Sequence, residues 1–188
     1  VGEVVVSGPS LFTGYLGQEE RSEGAPFPTG DLGRKTGDGG REKLVLMGRK
    51  KDMIIRRGVN IYPASFEAQL AALSDESGQP LVRACAMVGV WNASRQDEDV
   101  VLFVSPRESS HFDARRFEGK AAEICGRDAQ PDRVQVVDEM PVTGRLDKID
   151  KRPLGEWWEE MRLPETPPAP LVPFPGVGSC ANRFCRVN

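Results

Sequence analysis

The sequence is poor in the residues from which metal sites and disulfide frameworks are built. Its 188 residues contain one histidine, His111, and four cysteines, with no Cys-x-x-Cys pair. Zinc sites usually combine four Cys or His ligands at short spacings, so none is predicted. Cys85 and Cys125 lie in apolar segments and are predicted to be core thiols, whereas Cys180 and Cys185 lie in a proline-rich stretch where a disulfide is an alternative. The pattern indicates a reducing, cytoplasmic compartment.

Other broad classes are also excluded by what the chain lacks. The formal net charge is -3 and no long basic run occurs, which argues against nonspecific nucleic-acid binding. No apolar run approaches the roughly 18 residues of a membrane-spanning helix, and no signal-peptide pattern opens the chain. The first residues, Val1-Gly-Glu-Val-Val-Val, are interpreted as the middle of a strand and not as a natural N-terminus.

The first fifty residues carry a strand pattern. Strands are predicted over residues 3–7, 32–35 and 43–47. The sequence Thr36-Gly-Asp-Gly-Gly between the last two is predicted to be a hairpin turn, because glycine permits positive φ and aspartate favours turns. A hairpin brings its outer ends together, so Asp31, before one strand, is predicted to lie near Arg49, after the other.

Residues 51–162 alternate between strand and helix patterns. Strands are predicted over residues 52–56, 82–90, 100–104 and 133–137. Pro63 and Pro153 are predicted to open helices, and Asp113 to cap one. Two helices on a small three-stranded sheet form an α+β architecture. Six prolines fall between Pro164 and Pro175, so residues 163–188 are predicted to be a proline-rich linker or disordered tail.

Three sequence blocks follow one another in the chain. They are Phe27-Pro-Thr-Gly-Asp-Leu-Gly33, residues 46–63 with Gly48-Arg-Lys-Lys-Asp52 at their start, and Met140-Pro-Val-Thr-Gly-Arg-Leu-Asp-Lys-Ile-Asp-Lys151. In this order they resemble the C-terminal portion of the adenylate-forming enzymes, a superfamily of AMP-binding ligases that includes acyl-CoA synthetases, peptide-synthetase adenylation domains and luciferases. The resemblance covers roughly the first four-fifths of the chain. It implies that residues 1–50 end a β-barrel subdomain and that residues 51–162 form a mobile α+β cap domain.

The first block supplies a candidate nucleotide site. One carboxylate can accept hydrogen bonds from both hydroxyls of a ribose, and a tight glycine turn before Asp31 lets the backbone approach the sugar. On these residues alone, a turn residue is the favoured interpretation of Asp31, and a surface ion pair is the alternative for Arg49. The resemblance implies that Asp31 and Arg49 face the ribose, with Thr29 in the same nucleotide-binding block.

The residues that follow are candidates for movement and for binding the acceptor. The resemblance implies that Lys51 is the hinge between the two domains, although a solvated charged turn is the alternative. It implies that the turn at Gly58, with Arg57, lines the tunnel for the pantetheine arm of the thiol acceptor. Arg56 and Arg57 are interpreted either as cations that meet the acceptor's phosphates or as exposed strand ends.

Lys148 is the predicted catalytic residue. Joining a carboxylate to the α-phosphate of ATP concentrates negative charge there, which an ammonium group stabilises. The resemblance implies that Lys148 enters the active site for this step and leaves when the cap domain rotates, after which a thiol attacks the acyl-adenylate. Asp147 stands where the family usually has glycine, a departure compatible with a weakened enzyme, and Lys151 is the alternative alignment.

The resemblance implies a ligase that activates a small carboxylate with ATP and Mg²⁺ and transfers it to CoA or phosphopantetheine. The variant Asn60-Ile-Tyr-Pro63 is closer to acyl-CoA synthetases than to peptide synthetases. The alternatives are an enzyme that loads a carrier protein and a non-catalytic module that keeps the fold. The family's phosphate loop, adenine-binding block and acyl pocket are expected before Val1, so the 188 residues alone are predicted to be inactive.

Overall fold

A computed structural model describes residues 1–22, 24–38, 40–107, 112–144 and 148–161. The predictions for His111, Asp147, Cys180, Cys185 and the proline-rich tail lie outside these residues. The chain divides between Lys51 and Asp52 into two compact units.

The first unit is built on an antiparallel sheet of three strands. In chain order and in sheet order they are β1 (Gly2–Val6), β2 (Phe27–Thr36) and β3 (Lys43–Arg49). The predicted hairpin is confirmed, because β2 and β3 pair antiparallel with Asp31 opposite Arg49. Strand β2 begins earlier than predicted, at Phe27, because its first half pairs with β1. The described part of this unit is an open sheet and not a closed barrel.

The second unit combines short hairpins, a larger sheet and helices. Its described elements are β4 (Ile54–Arg56), β5 (Val59–Ile61), α1 (Pro63–Ala71), β6 (Val82–Asn92), β7 (Asp97–Pro106), α2 (Ala114–Ala129), β8 (Arg133–Val136), β9 (Val142–Thr143), β10 (Lys148–Ile149) and α3 (Lys151–Met161). The sequence analysis predicts neither the β4–β5 hairpin nor the β9–β10 hairpin. Strands of two or three residues are too short to show an alternating pattern.

The central strand β7 is buried on both of its faces. It pairs antiparallel with β6 and parallel with β8. Val100, Leu102 and Val104 pack in one core with α1 and α2, whereas Val101 and Phe103 pack in a second core with α3. The expected arrangement of two helices on one sheet is therefore incomplete. Helix α3 covers the opposite face and makes the unit a three-layer structure.

The helices begin close to the predicted signals. The Asp113 carboxylate accepts the backbone N–H groups of Arg115 and Arg116, so the predicted cap of α2 is confirmed. Helix α3 begins at Lys151, slightly before Pro153, which occupies its first turn, where a missing N–H costs no hydrogen bond. In the described part of the chain, no helix is long and apolar enough to span a membrane.

Leu154 provides a test of the layer that α3 adds. Its side chain is 0% exposed in the core with Phe103. Leu154→Ala should lower the free energy of unfolding by about 2–5 kcal/mol, because the truncation leaves a cavity. All three tryptophans lie in the second unit, so their fluorescence in urea reports its unfolding. Ile55→Ala is the matched control, because it removes the same number of carbons from a side chain of a residue that is 50% exposed. Equal losses for both variants would contradict the packing described.

Candidate functional site

Asp31 and Arg49 lie side by side at the open end of the β2–β3 hairpin. The Arg49 Nε lies 2.9 Å from Asp31 Oδ1 in an ion pair. The side chains are 34% exposed for Asp31 and 54% for Arg49. Such an exposed ion pair contributes little to stability. The contact involves one carboxylate oxygen and leaves the other, Oδ2, outside it. The predicted proximity is confirmed, and the ribose-binding role stays a prediction.

Thr29 and Gly30 shape the backbone that presents Asp31. Gly30 has a φ of +77°, a left-handed conformation that favours glycine. The Thr29 hydroxyl donates to the carbonyl of Val4 at 2.8 Å and accepts the N–H of Asp31 at 3.1 Å. Because a hydroxyl has one hydrogen to donate, Thr29 is already engaged in supporting this turn.

Glu3 joins the Gly30 turn to the residue before the predicted hinge. Its Oε1 accepts the N–H of Gly30 at 3.2 Å and its Oε2 accepts a hydrogen bond from Lys50 Nζ at 2.9 Å. The bond from Lys50 is the main reason why the pKa of Glu3 lies below its ordinary value. Sequence reasoning missed Glu3, because its partners are 27 and 47 residues away and only strand pairing brings them together.

A shallow, open depression lies on this end of the first unit. Gly30, Arg49, Lys50 and Lys51 line it. Lys51 is exposed in a single turn of 3₁₀ helix, Lys50–Asp52, and is the last residue of the first unit. Three cationic side chains beside a glycine turn make the depression suitable for an anionic ligand that also carries hydroxyl groups.

Arg57 and Gly58 form the two-residue turn between β4 and β5. Their φ angles are +51° and +73°, as a type I′ hairpin turn requires at both positions. The N–H of Arg57 is donated to the Asp97 carboxylate at 3.0 Å, and this bond is the main reason why the pKa of Asp97 lies below its ordinary value. A Cβ on Gly58 would meet nothing within 4 Å. The space in front of this turn is therefore open, as access for a ligand requires.

Arg56 points inward and is only 8% exposed. Its guanidinium donates to the carbonyl of Gln130 at 2.6 Å and to Asp132 Oδ1 at 3.0 Å. Both interpretations of Arg56 from the sequence, a phosphate contact and an exposed strand end, are therefore wrong. The reason is the ion pair with a residue that lies far away in the sequence. Arg57, by contrast, is exposed.

Lys148 is the first residue of β10 and is exposed. It lies opposite Thr143 of β9, so it belongs to a short strand and not to a loop as predicted. No described acidic side chain forms an ion pair with its ammonium group. Within the described ranges the group is therefore available to an incoming anion.

Lys151, the alternative to Lys148, is already occupied. Its Nζ lies 2.7 Å from Glu67 Oε1, and the two side chains are 17% and 18% exposed. An ammonium group that is paired and largely covered is unavailable to a second anion without first breaking the pair. Of the two lysines, Lys151 is therefore the one paired with a described acidic side chain, and the catalytic role of Lys148 stays a prediction.

The arrangement has counterparts among known proteins. No family model matches the chain. A feruloyl-CoA synthase from an Amycolatopsis species is 35% identical over 147 residues, which are 76% of this chain and 28% of that protein. The O-succinylbenzoate coenzyme A synthetase from Bacillus subtilis, solved with ATP and a magnesium ion, has a similar fold, with a TM-score of 0.62 and 25% identity over 79% of this chain and 29% of that one. The chain belongs to the adenylate-forming superfamily.

The chain matches the C-terminal portion of its relatives, as the order of its sequence blocks predicts. It spans 28% of the length of the feruloyl-CoA synthase. An amide bond synthetase from Marinactinospora thermotolerans is also similar, with a TM-score of 0.57 and 30% identity over 73% of this chain and 26% of that one. The superfamily assignment therefore does not depend on a single relative.

The bond between Glu3 and Lys50 provides a test of the geometry around the depression. A carboxyl group whose pKa is lower in the folded protein than in the unfolded chain stabilises the fold at pH values above its unfolded pKa. This contribution is lost as the pH falls through the folded pKa. Lys50→Met should raise the pKa of Glu3 towards its ordinary value, because it removes the main cause of the lowering. NMR titration of the Glu3 carboxyl carbon measures this shift. Lys51→Met, which removes the neighbouring cation, is the control. An unmoved Glu3 titration in Lys50→Met would contradict the contact.

Proposed function

We propose that this chain is the C-terminal part of an acyl-CoA synthetase-like ligase, which activates a carboxylate with ATP as an acyl-adenylate and transfers the acyl group to the thiol of CoA. Residues 1–50 end the β-barrel part of the large domain, and residues 51–162 form the mobile cap domain. The supporting observation is the pairing of Asp31 with Arg49 on one unit together with an exposed Lys148 on the other, which forms no ion pair with the described acidic side chains. The similarity to CoA ligases gives the reaction class.

The first unit binds the nucleotide through its ribose. Asp31 accepts hydrogen bonds from the two sugar hydroxyls, and Arg49 pairs with the carboxylate at 2.9 Å. Thr29 contributes indirectly, since its hydroxyl supports the Gly30 turn. A carboxylate that is fixed before the ligand arrives loses less freedom on binding, which favours affinity.

The second unit supplies the cation for the adenylation step. A carboxylate oxygen of the substrate attacks the α-phosphorus of ATP, a P–O bond forms, and the bond to pyrophosphate breaks. Lys148 donates hydrogen bonds from its ammonium group to the α-phosphate oxygens, where negative charge accumulates in the transition state. In the second step a thiol attacks the acyl carbon, a C–S bond forms, and the bond to AMP breaks.

The nucleotide is ATP and it is accompanied by Mg²⁺. The Bacillus subtilis relative was solved with both, and Mg²⁺ is commonly bound through substrate phosphates with few protein ligands. Among the described side chains, no cluster of three or more His, Cys, Asp or Glu residues could hold a metal ion.

Lys51 acts as the hinge between the two steps. It is an exposed residue at the end of the first unit, and a hinge at the end of an element can change φ and ψ without disturbing a core. Rotation about it withdraws Lys148 and presents the Arg57–Gly58 turn. The open space at Gly58 accommodates the pantetheine arm of CoA, and the exposed Arg57 meets its phosphates.

A carrier protein is the second candidate for the acceptor. The supporting observation is that the Arg57–Gly58 turn is exposed and open, and phosphopantetheine on a carrier presents the same thiol arm as CoA. Thioester formation measured with CoA and with a phosphopantetheinylated carrier distinguishes the two acceptors.

Lys148→Ala in the full-length protein that carries this chain tests the proposal. Adenylation, measured as carboxylate-dependent pyrophosphate exchange, should fall by roughly 10²–10³-fold, because a charge that stabilises the transition state is lost. Thioester formation from supplied acyl-adenylate should be nearly unchanged, because Lys148 has left the site in that step. Lys120→Ala, at an exposed lysine of α2, is the matched control. Equal losses in both steps would refute the two-step role of Lys148.

A further inference from the structure

A charged junction lies just after Lys148 in the chain. Lys151, at the start of α3, places its Nζ 2.7 Å from Glu67 Oε1 on α1. The same oxygen accepts the backbone N–H of Met87 in β6 at 2.6 Å. One carboxylate oxygen therefore connects two helices on opposite faces of the sheet to a strand between them.

The junction occurs at the edge of the sheet. Strand β6 is the outer strand of the order β6–β7–β8, so backbone groups on its free side have no neighbouring strand within that sheet. Met87 is 0% exposed, and a buried N–H without an acceptor is costly. Glu67 supplies the acceptor, which fixes its position. Lys151 then compensates the charge of a carboxylate that is largely removed from water.

The hairpin that carries Lys148 ends at this junction. Strand β10 consists of Lys148–Ile149, and only Asp150 separates it from Lys151. The N–H of Asp150 donates to the carbonyl of Pro141 at 2.8 Å, which closes the base of the hairpin. The side chain of Ile149 packs against the core beneath α3. The backbone is therefore held on the C-terminal side of Lys148 by three consecutive residues.

The hairpin has little stability of its own. Each of its strands has two residues, and isolated two-stranded hairpins are marginal in water. Its direction must therefore come from its attachment to the body of the unit. The ion pair of Lys151 is the charged part of that attachment, and Lys151 follows Lys148 by three residues, a separation of about 10 Å at most, since a strand advances about 3.3 Å per residue.

We propose that Lys151, through its ion pair with Glu67, positions Lys148 for the adenylation step. Lys151 is a positioning residue and does not contact the nucleotide. This inference rests on the proposed function of Lys148. A misdirected ammonium group weakens the stabilisation of the transition state without changing how the ribose is bound.

Hydrogen exchange in the 188-residue chain tests the structural half of the inference. Lys151→Met removes the charge and keeps most of the side chain. The amide of Asp150, whose N–H donates to the carbonyl of Pro141, should exchange faster by about tenfold or more, because the base of the hairpin opens locally. The amide of Phe103, in the central strand, should be unaffected.

Matched variants separate the ion pair from general damage. Lys120→Met breaks the exposed pair with Glu123, whose atoms are 2.8 Å apart, and should leave the hairpin amides unchanged. Lys151→Arg keeps a cation and should restore slow exchange. Glu67→Gln keeps an acceptor for Met87 and removes only the charge, so it serves if Lys151→Met fails to fold. Unchanged exchange at Asp150 in Glu67→Gln and Lys151→Met would overturn the inference.

The functional half is tested in the full-length protein that carries this chain. Lys151→Met should lower kcat for pyrophosphate exchange by about tenfold, with an unchanged KM for ATP and unchanged thioester formation from supplied acyl-adenylate. In a Lys148→Ala background the same change should have no further effect, because Lys151 acts through Lys148. If the fold-loss in kcat of the double variant equals the product of the losses of the two single variants, the inference is overturned.

The two proposals fail in different ways. If Lys148→Ala lowers adenylation and Lys151→Met does not, the positioning role is refuted and the proposed function stands. If Lys148→Ala leaves adenylation unchanged, the proposed function is refuted, and the positioning role with it. Faster exchange at Asp150 in Lys151→Met would then still establish that the ion pair holds the hairpin.

Discussion

The register between β2 and β3 is the constraint on which the candidate nucleotide site depends. Leu32 lies opposite Gly48 and Gly33 lies opposite Leu46, so Met47 is an extra residue in β3. Without this bulge, Asp31 would lie opposite Gly48, and Arg49 would lie beyond the pairing position. The bulge therefore brings the guanidinium beside the carboxylate, as bulges near functional sites often re-aim a side chain.

The two candidate turns and strand β6 share a second feature, which is a carboxylate that accepts a backbone N–H. Glu3 holds Gly30, Asp97 holds Arg57, and Glu67 holds Met87 beside the lysine hairpin. Each acceptor replaces a strand partner that the local backbone lacks. The rigid centre of the second unit, a strand buried on both faces, provides the platform from which two short hairpins project. Apolar packing thus provides the stability, and carboxylates set the direction of the turns.

The sequence predicted the features that depend on local patterns. The β2–β3 hairpin, the long apolar strands and the cap at Asp113 all have signals within a few residues, and the structure confirms them. The motif blocks also identified Asp31, Arg49 and Lys148 as candidates before any geometry was known. The proximity of Asp31 and Arg49 followed from the short turn that connects β2 to β3, which a sequence pattern can reveal.

Features that depend on distant partners escaped sequence reasoning. Arg56 turns inward because Asp132 lies next to it only in the folded chain, 76 residues away along the sequence. Glu3 and Glu67 look like ordinary surface charges until strand pairing and helix packing supply their partners. The position of α3 also depends on distant residues. Helices α1 and α2 cover one face of the central strand, and Leu154 of α3 packs on the face that remains. No local pattern contains that information.

The central claim is that Lys148 reaches the phosphates of a nucleotide whose ribose is bound by Asp31. The most direct test uses an adenine nucleotide whose phosphate chain ends in an amine-reactive aldehyde, added to the full-length protein that carries this chain. Borohydride reduces the adduct to a stable bond, and mass spectrometry identifies the modified lysine. The account predicts modification of Lys148, protection by ATP, and loss of labelling in Asp31→Ala. Labelling of Lys50 or Lys51 with Lys148 unmodified would contradict it.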